Sequence, residues 1–244
     1  MSAAPAGPPA PAPYPYAAPD LKGVRLRSPR GLAIALAVLF ALVVGTDLFA
    51  VFADWNLRSL MERVLADSGS VSAAELNRGD TMNGVAGTLQ SAATLVTGIV
   101  FIVWFHRVRT NAEVFAPGAD KRKRGWAIGG WFVPIANLWI PYRIAVDTWG
   151  SSTPFAADGS YRRVRLTAVN CWWGVFVLST LVGRYASRVY GHAETADALH
   201  SAATTMLVSD ALDVVAAALA VLFVRKLTAM QHAKAAQGPV VAAV

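Results

Sequence analysis

Three aspartates stand where an aspartate is costly. Asp47 interrupts the apolar run 31–53, and Asp210 and Asp213 interrupt the run 201–224. A charge in the middle of an apolar helix costs about 2.5–3.5 kcal/mol on insertion scales, so each needs a partner or a task. Asp210 and Asp213 are three residues apart and share a helical face. Arg184 closes another apolar run, 166–183, at the same outer level. Together Asp47, Arg184, Asp210 and Asp213 make an intramembrane polar cluster with two readings. It binds a cation or relays protons, or it is an interhelical ion pair that fixes helix packing. Interhelical polar contacts average only about 0.6 kcal/mol, which weighs toward packing. Three acids against one base leave a surplus of negative charge, which keeps the ion-binding reading open.

A second group of residues points to lipid or partner contact. Residues 125–149 read GWAIGGWFVPIANLWIPYRIAVDTW. The basic run Lys121, Arg122, Lys123 and Arg124 comes immediately before it and suits an anionic leaflet, at about 1 kcal/mol per charge. Trp126, Trp131, Trp139, Tyr142 and Trp149 are residues of the headgroup level. Gly129 and Gly130 weaken a continuous helix. Pro134 suits a first helical turn, and Pro141 is expected to kink the helix. Asn137 adds a polar group in the middle. Arg143 and Asp147 are four apart and are expected to pair.

The elements that carry these groups must be membrane helices. The chain of 244 residues is 55% hydrophobic and 15% charged, against about one quarter charged in a soluble domain. Its apolar residues fall in runs near the roughly 20 residues that a spanning helix needs. Four spans are expected, at about 31–53, 85–105, 166–183 and 201–224. Backbone groups in lipid must be satisfied internally, so these are helices. Small residues at Gly87, Ser91, Thr94 and Gly98, and at Ala216 and Ala220, predict faces of close helix approach.

Positive charge sets the expected topology. With the N-terminus inside and 126–149 not crossing, only Arg58, Arg63, Arg78, Arg184 and Arg188 of the 22 basic residues lie outside. If the segment crosses, the outer side gains Arg162, Arg163, Arg165, Arg225, Lys226 and Lys234 and loses Arg184 and Arg188. The first arrangement obeys the rule better. The expected fold is therefore an all-α integral membrane protein with four transmembrane helices plus one proline-broken re-entrant or interfacial segment, 126–149. Both termini are cytoplasmic and the membrane is the plasma membrane. Residues 1–29 form a tail with seven prolines in its first 20 residues, expected to be disordered. Residues 30–231 form the helical membrane domain and 232–244 a short cytoplasmic tail.

The stretch from Arg124 to Pro141, RGWAIGGWFVPIANLWIP, resembles the signature of a bacterial multi-pass membrane family known as domain of unknown function 4328. VWFHRVRTNAEVF, from Val103, and VLFVRKLTAMQ, from Val221, fit the same family. The resemblance covers about 30–231. It implies a multi-pass membrane domain and brings no catalytic residues with it.

Motifs of known chemistry are missing: no HExxH, GxSxG, P-loop or strand-linked GxGxxG occurs. Cys171 is the only cysteine, which leaves neither a disulfide nor a thiolate metal site. His192, Glu194, Asp197 and His200 cluster in sequence, and a solvated lead-in to the last span is expected there. No cofactor or metal is expected, and no nucleic-acid partner, because the basic residues hug the membrane boundaries. The expected role is a non-enzymatic scaffold or regulatory module touching lipid headgroups or a partner protein. A small transporter using the intramembrane acids is the alternative, and a lipid-acting membrane enzyme is a third.

Overall fold

The computed structural model describes residues 26–119, 122–160 and 162–238. The expectations for the proline-rich tail before residue 26, for Lys121 and for residues after 238 lie outside the described residues. Every element among those residues is helical. They are α1 (Arg30–Ala66), α2 (Ala73–Phe115), α3 (Trp126–Gly129), a 3-10 turn (Ala136–Leu138), α4 (Ile140–Ser152), α5 (Thr167–Gly191) and α6 (Ala196–Gln237).

α1, α2 and α6 are long and apolar enough to cross a membrane. Their 37, 43 and 42 residues rise about 55–65 Å, roughly twice the hydrocarbon core of a bilayer. α5 has 25 residues and rises about 37 Å, but Asn170, Ser179, Thr180 and Arg184 dilute its apolar stretch. Exposure agrees with a lipid-facing surface. Ile34 and Val38 in the first part of α1 and Leu95 in the middle of α2 are each about two-thirds exposed (67%, 66% and 66%). A helix that is apolar on its outer as well as its inner face belongs in a core or in lipid.

The helices overrun the expected spans. The stretch 54–84, between the expected spans 31–53 and 85–105, is mostly helix. α1 continues to Ala66, and α2 begins at Ala73 on a capping box in which Ser72 and Glu75 satisfy each other's backbone N–H groups. Arg63 clamps the turn by donating to Ser70 O at 2.9 Å and pairing with Glu75 at 3.0 Å. At the other end, α6 continues through the expected tail to Gln237.

Both described ends of the chain, α1 at Arg30 and α6 at Gln237, lie at one end of the bundle, here the terminal end. α1 packs on α6 and α2, and α5 packs on α6. Between the ends, small residues let the backbones approach: Val43, Ala93 and Ala217 form one cluster, and Ala50, Ala53 and Ala86 another. The buried face of α2 thus runs through Ala86, Ala93 and Thr97. The expected small-residue face at Gly87, Ser91, Thr94 and Gly98 is exposed instead. The largest core lies at the terminal end, where Phe101, Trp104, Phe105, Trp149, Trp172 and Phe223 meet.

Residues 125–152 fold back across that same end. α3 leads out, the chain turns, and α4 returns, with Gly130 beside Ile140. A Cβ on Gly130 would fall 2.7 Å from both Ile140 Cγ2 and Trp126 O, so only glycine closes this hairpin. Pro141 lies in the first turn of α4 and begins a helix rather than kinking one.

Candidate functional site

Two groups of polar and aromatic residues emerge, one deep between the long helices and one at the terminal end. The deep group is centred on Asp47 of α1, Gln90 of α2 and Asp210 of α6. The Gln90 Nε2 donates to Asp47 Oδ1 and to Asp210 Oδ1, each at 3.1 Å. One amide thus ties three helices together. Asp54, one to two turns further along α1, brings its carboxyl into hydrogen-bonding range of Asp210. Asn83 Nδ2 reaches Asp54 Oδ1 at 3.5 Å, the outer limit of a hydrogen bond. Asp213 lies beside the Ser179 hydroxyl of α5.

Asp47, Asp54 and Asp210 are all buried, and one oxygen of each, Oδ2, has no hydrogen-bond donor. No ion pair among the described residues involves any of the four acids. Two facing carboxylates repel each other unless a proton or a cation lies between them. Of the sequence-predicted cluster, Asp47, Asp210 and Asp213 come together. Arg184 does not join them: it is exposed, with no ion pair or side-chain hydrogen bond among the described residues. Glutamine and asparagine take its place. Asn83 and Asp54 were not foreseen in the cluster; the signal available was their polarity beside apolar runs. Among the described residues, no three His, Cys, Asp or Glu are arranged to hold a metal ion. His200, from the cluster His192–His200, instead lies 3.1 Å from Glu62 of α1.

The terminal-end group is aromatic and basic. Trp131 packs edge-on against Phe101 at 5.7 Å and lies against Trp173 and Phe176 at 6.0 Å, fixing the hairpin to α2 and α5. Trp172 stacks on Phe223 at 4.2 Å, and Trp149 of α4 stacks on Phe223 at 5.9 Å. Tyr142 OH donates to Asn170 Oδ1 at 3.1 Å. Beyond this core the hairpin tip is bare. Phe132 and Ile135 are 71% and 70% exposed, and Pro134, Leu138 and Trp139 are exposed beside them, with Asn137 half-buried. Ile135 has φ 64°, a strained backbone for a β-branched residue, at the tip itself.

The basic residues divide into two sets. Arg122 pairs with Asp147 at 2.8 Å, so the expected Arg143–Asp147 pair is replaced. Arg124 pairs with Glu113 at 2.6 Å, and Arg109 approaches the same carboxylate at 3.5 Å. These cations lock the segment before α3 onto α2, through Glu113, and onto α4, through Asp147. Lys123, Arg143, Arg162, Arg163 and Arg165 are exposed, alongside exposed Trp126. Further in, Asn111 Nδ2 donates to Gln231 Oε1 at 3.0 Å, and Gln231 Nε2 donates to Val108 O and Ser152 Oγ. Lys234 is buried, donates to Ser151 O at 2.8 Å and lies 4.7 Å over the Phe155 ring; burial pulls its pKa below the usual lysine value. Nothing in the sequence marked Asn111, Gln231 or Lys234 as structural, because their partners lie some 80–120 residues away.

A family model described as "Domain of unknown function (DUF4328)" matches residues 67–229. The match begins at the turn before α2 and leaves α1 outside, whereas the sequence reading began the family at residue 30. No curated protein and no solved structure matches the chain.

Proposed function

We propose that this chain, which belongs to the family described as a domain of unknown function, DUF4328, is a four-span scaffold or regulatory module of the plasma membrane. Its function is to present an aromatic, basic surface to anionic headgroups and partner proteins at the cytoplasmic leaflet. α5 is the fourth span, and both termini are cytoplasmic. The hairpin 125–152 is re-entrant: it dips its tip into the headgroup–acyl boundary and returns without crossing.

One observation carries this reading. The bare apolar tip at Phe132 and Ile135 is flanked, at the same end of the bundle, by exposed Trp126, Trp139, Arg143 and Arg163. Apolar residues at this exposure need lipid or a partner. Tryptophan and arginine beside them are the chemistry of the headgroup layer.

Impermeant maleimide labelling on intact cells tests the topology, using Ala157→Cys and Ser68→Cys, each in a Cys171→Ala chain. Both positions lie in exposed turns. Ser68→Cys should label at once and Ala157→Cys only after permeabilisation. Labelling of Ala157→Cys in intact cells would reject the re-entrant placement.

The unpartnered buried oxygens of Asp47, Asp54 and Asp210 support a second reading, in which the deep cluster holds a proton or a small cation within a transporter. Growth of Asp210→Asn cells under pH or salt stress, at normal protein level, separates the two. A growth defect would promote the transporter, and unchanged growth would leave the scaffold.

A further inference from the structure

At the terminal end, α1 and α6 do not close completely. Between them runs a groove of about 800 Å³, within the range of about 300–1,000 Å³ common for ligand sites. Its walls are apolar and small, among them Ile34 and Ala37 of α1 and Ala229 of α6, and Arg30, Arg225 and His232 also line it.

Three independent features select one occupant. The first is charge. Neither Arg30, Arg225 nor His232 has a carboxylate partner among the described residues, and no acid lines the groove. The second is the start of α1. Pro29 occupies its N-cap without a side-chain cap, and no acid lies in its first turn. Arg30 N–H donates to Ser28 Oγ at 3.4 Å, and the N–H groups that follow it, with the positive dipole end, are suited to an anion. The third is length. From Arg30 to Ala41, the ends of the α1 wall, the helix rises about 16 Å. That is about half of a roughly 30 Å hydrocarbon core, the depth of one leaflet. Arg225 lies seven residues before His232 on the same face of α6, about 10 Å deeper. An exposed arginine at that depth is stable only if it reaches an anion at the surface.

We propose that the α1–α6 groove binds one phospholipid with a net anionic headgroup. Arg30, Arg225 and His232 hold the phosphate at the start of α1, and one acyl chain lies along Ile34, Ala37 and Ala229. The alanines make the room: a larger side chain at either 37 or 229 fills the space of the chain. The site is separate from the hairpin belt and rests on the bilayer placement proposed above.

Native mass spectrometry of the full chain, released from nanodiscs of mixed phosphatidylglycerol and phosphatidylcholine, tests it. The expected result is one retained phosphatidylglycerol per chain. Arg225→Gln and Arg30→Gln should each cut retention about fivefold, and Arg225→Lys should restore part of it. Ala229→Phe should abolish retention with every charge in place. Arg143→Gln with Arg163→Gln, in the hairpin belt, should leave it unchanged. Equal retention of the two lipids, or equal loss in the belt variant, would overturn the groove. So would a chain dimer that cross-links through Val38→Cys in place of retained lipid. A chain that carries no lipid at all would instead reject the bilayer placement on which the groove depends.

Discussion

The two halves of the bundle are held together differently. At the terminal end, large rings interlock: Trp172, Phe223, Trp149, Phe101 and Trp131 form one continuous contact from α2 through the hairpin to α6. Toward the other end, the helices meet through alanines and through one glutamine that donates to two aspartates. Among the described residues the aromatic half leaves two buried polar atoms without partners, Trp131 Nε1 and Thr148 Oγ1. The polar half leaves several carboxyl oxygens without donors. Interiors that are closely packed lose energy when atoms are removed, whereas polar groups left short of partners lose little when neutralised. Rigidity therefore belongs to the aromatic half, and any capacity to take up a proton or an ion belongs to the polar half.

That contrast can be broken at several points. The largest effect is expected in the aromatic half. Trp172→Ala or Phe223→Ala should destabilise the fold by about 3–5 kcal/mol, seen as a lower midpoint of thermal unfolding in detergent. Next comes the hairpin. Gly130→Ala forces a Cβ against a backbone oxygen and should cost about 1–3 kcal/mol, with protease cleavage appearing between 130 and 140. In the polar half, Asp210→Asn keeps the shape and removes no salt bridge, so the unfolding midpoint should move by less than about 1 kcal/mol equivalent. A loss as large as that of Trp172→Ala would mean that the carboxylate is paired after all and would erase the distinction.

The smallest effect is outside the bilayer and depends on pH. Glu75 is held down to about 2 from 4.5 by the Ser72 backbone N–H and hydroxyl and by Arg63. A depressed carboxylate contributes its stabilisation fully above its ordinary pKa and loses it as pH falls toward the depressed value. Relative to its intrinsic rate at each pH, amide exchange in the 67–76 turn should therefore stay slow down to about pH 4.5 and quicken between there and about pH 2. Glu75→Gln should show that faster exchange already at neutral pH, and no difference between the two proteins would remove Glu75 from the account of the turn.

Much of the architecture was legible in the chain because apolar runs near the length of a membrane core have few alternatives to helix. Asp47, Asp210 and Asp213 were found for the same reason, as charges out of place. The glycine pair marked the break near residue 130, since backbone geometry is local, whereas Pro141 begins α4 where a kink was expected. Three things were not legible. Arg184 was grouped with the acids by level along its helix, but helical rotation turns it outward. Arg143 was matched to Asp147 by spacing of four, but Arg122 reaches Asp147 across 25 residues. The helices' extension past the expected spans depends on Arg63, Ser70 and Glu75 meeting across a turn, which hydropathy does not register.

By itself the sequence determined that the chain is helical, where it is apolar enough for lipid, and where its backbone must break. Those follow from composition, length and the conformational limits of glycine and proline. Only the tertiary structure decided which polar side chains share a site, which cations are committed to the protein, and that α1 and α6 part to leave a groove. Each of those depends on how helices rotate and approach one another, and that is set by packing between residues far apart in the chain.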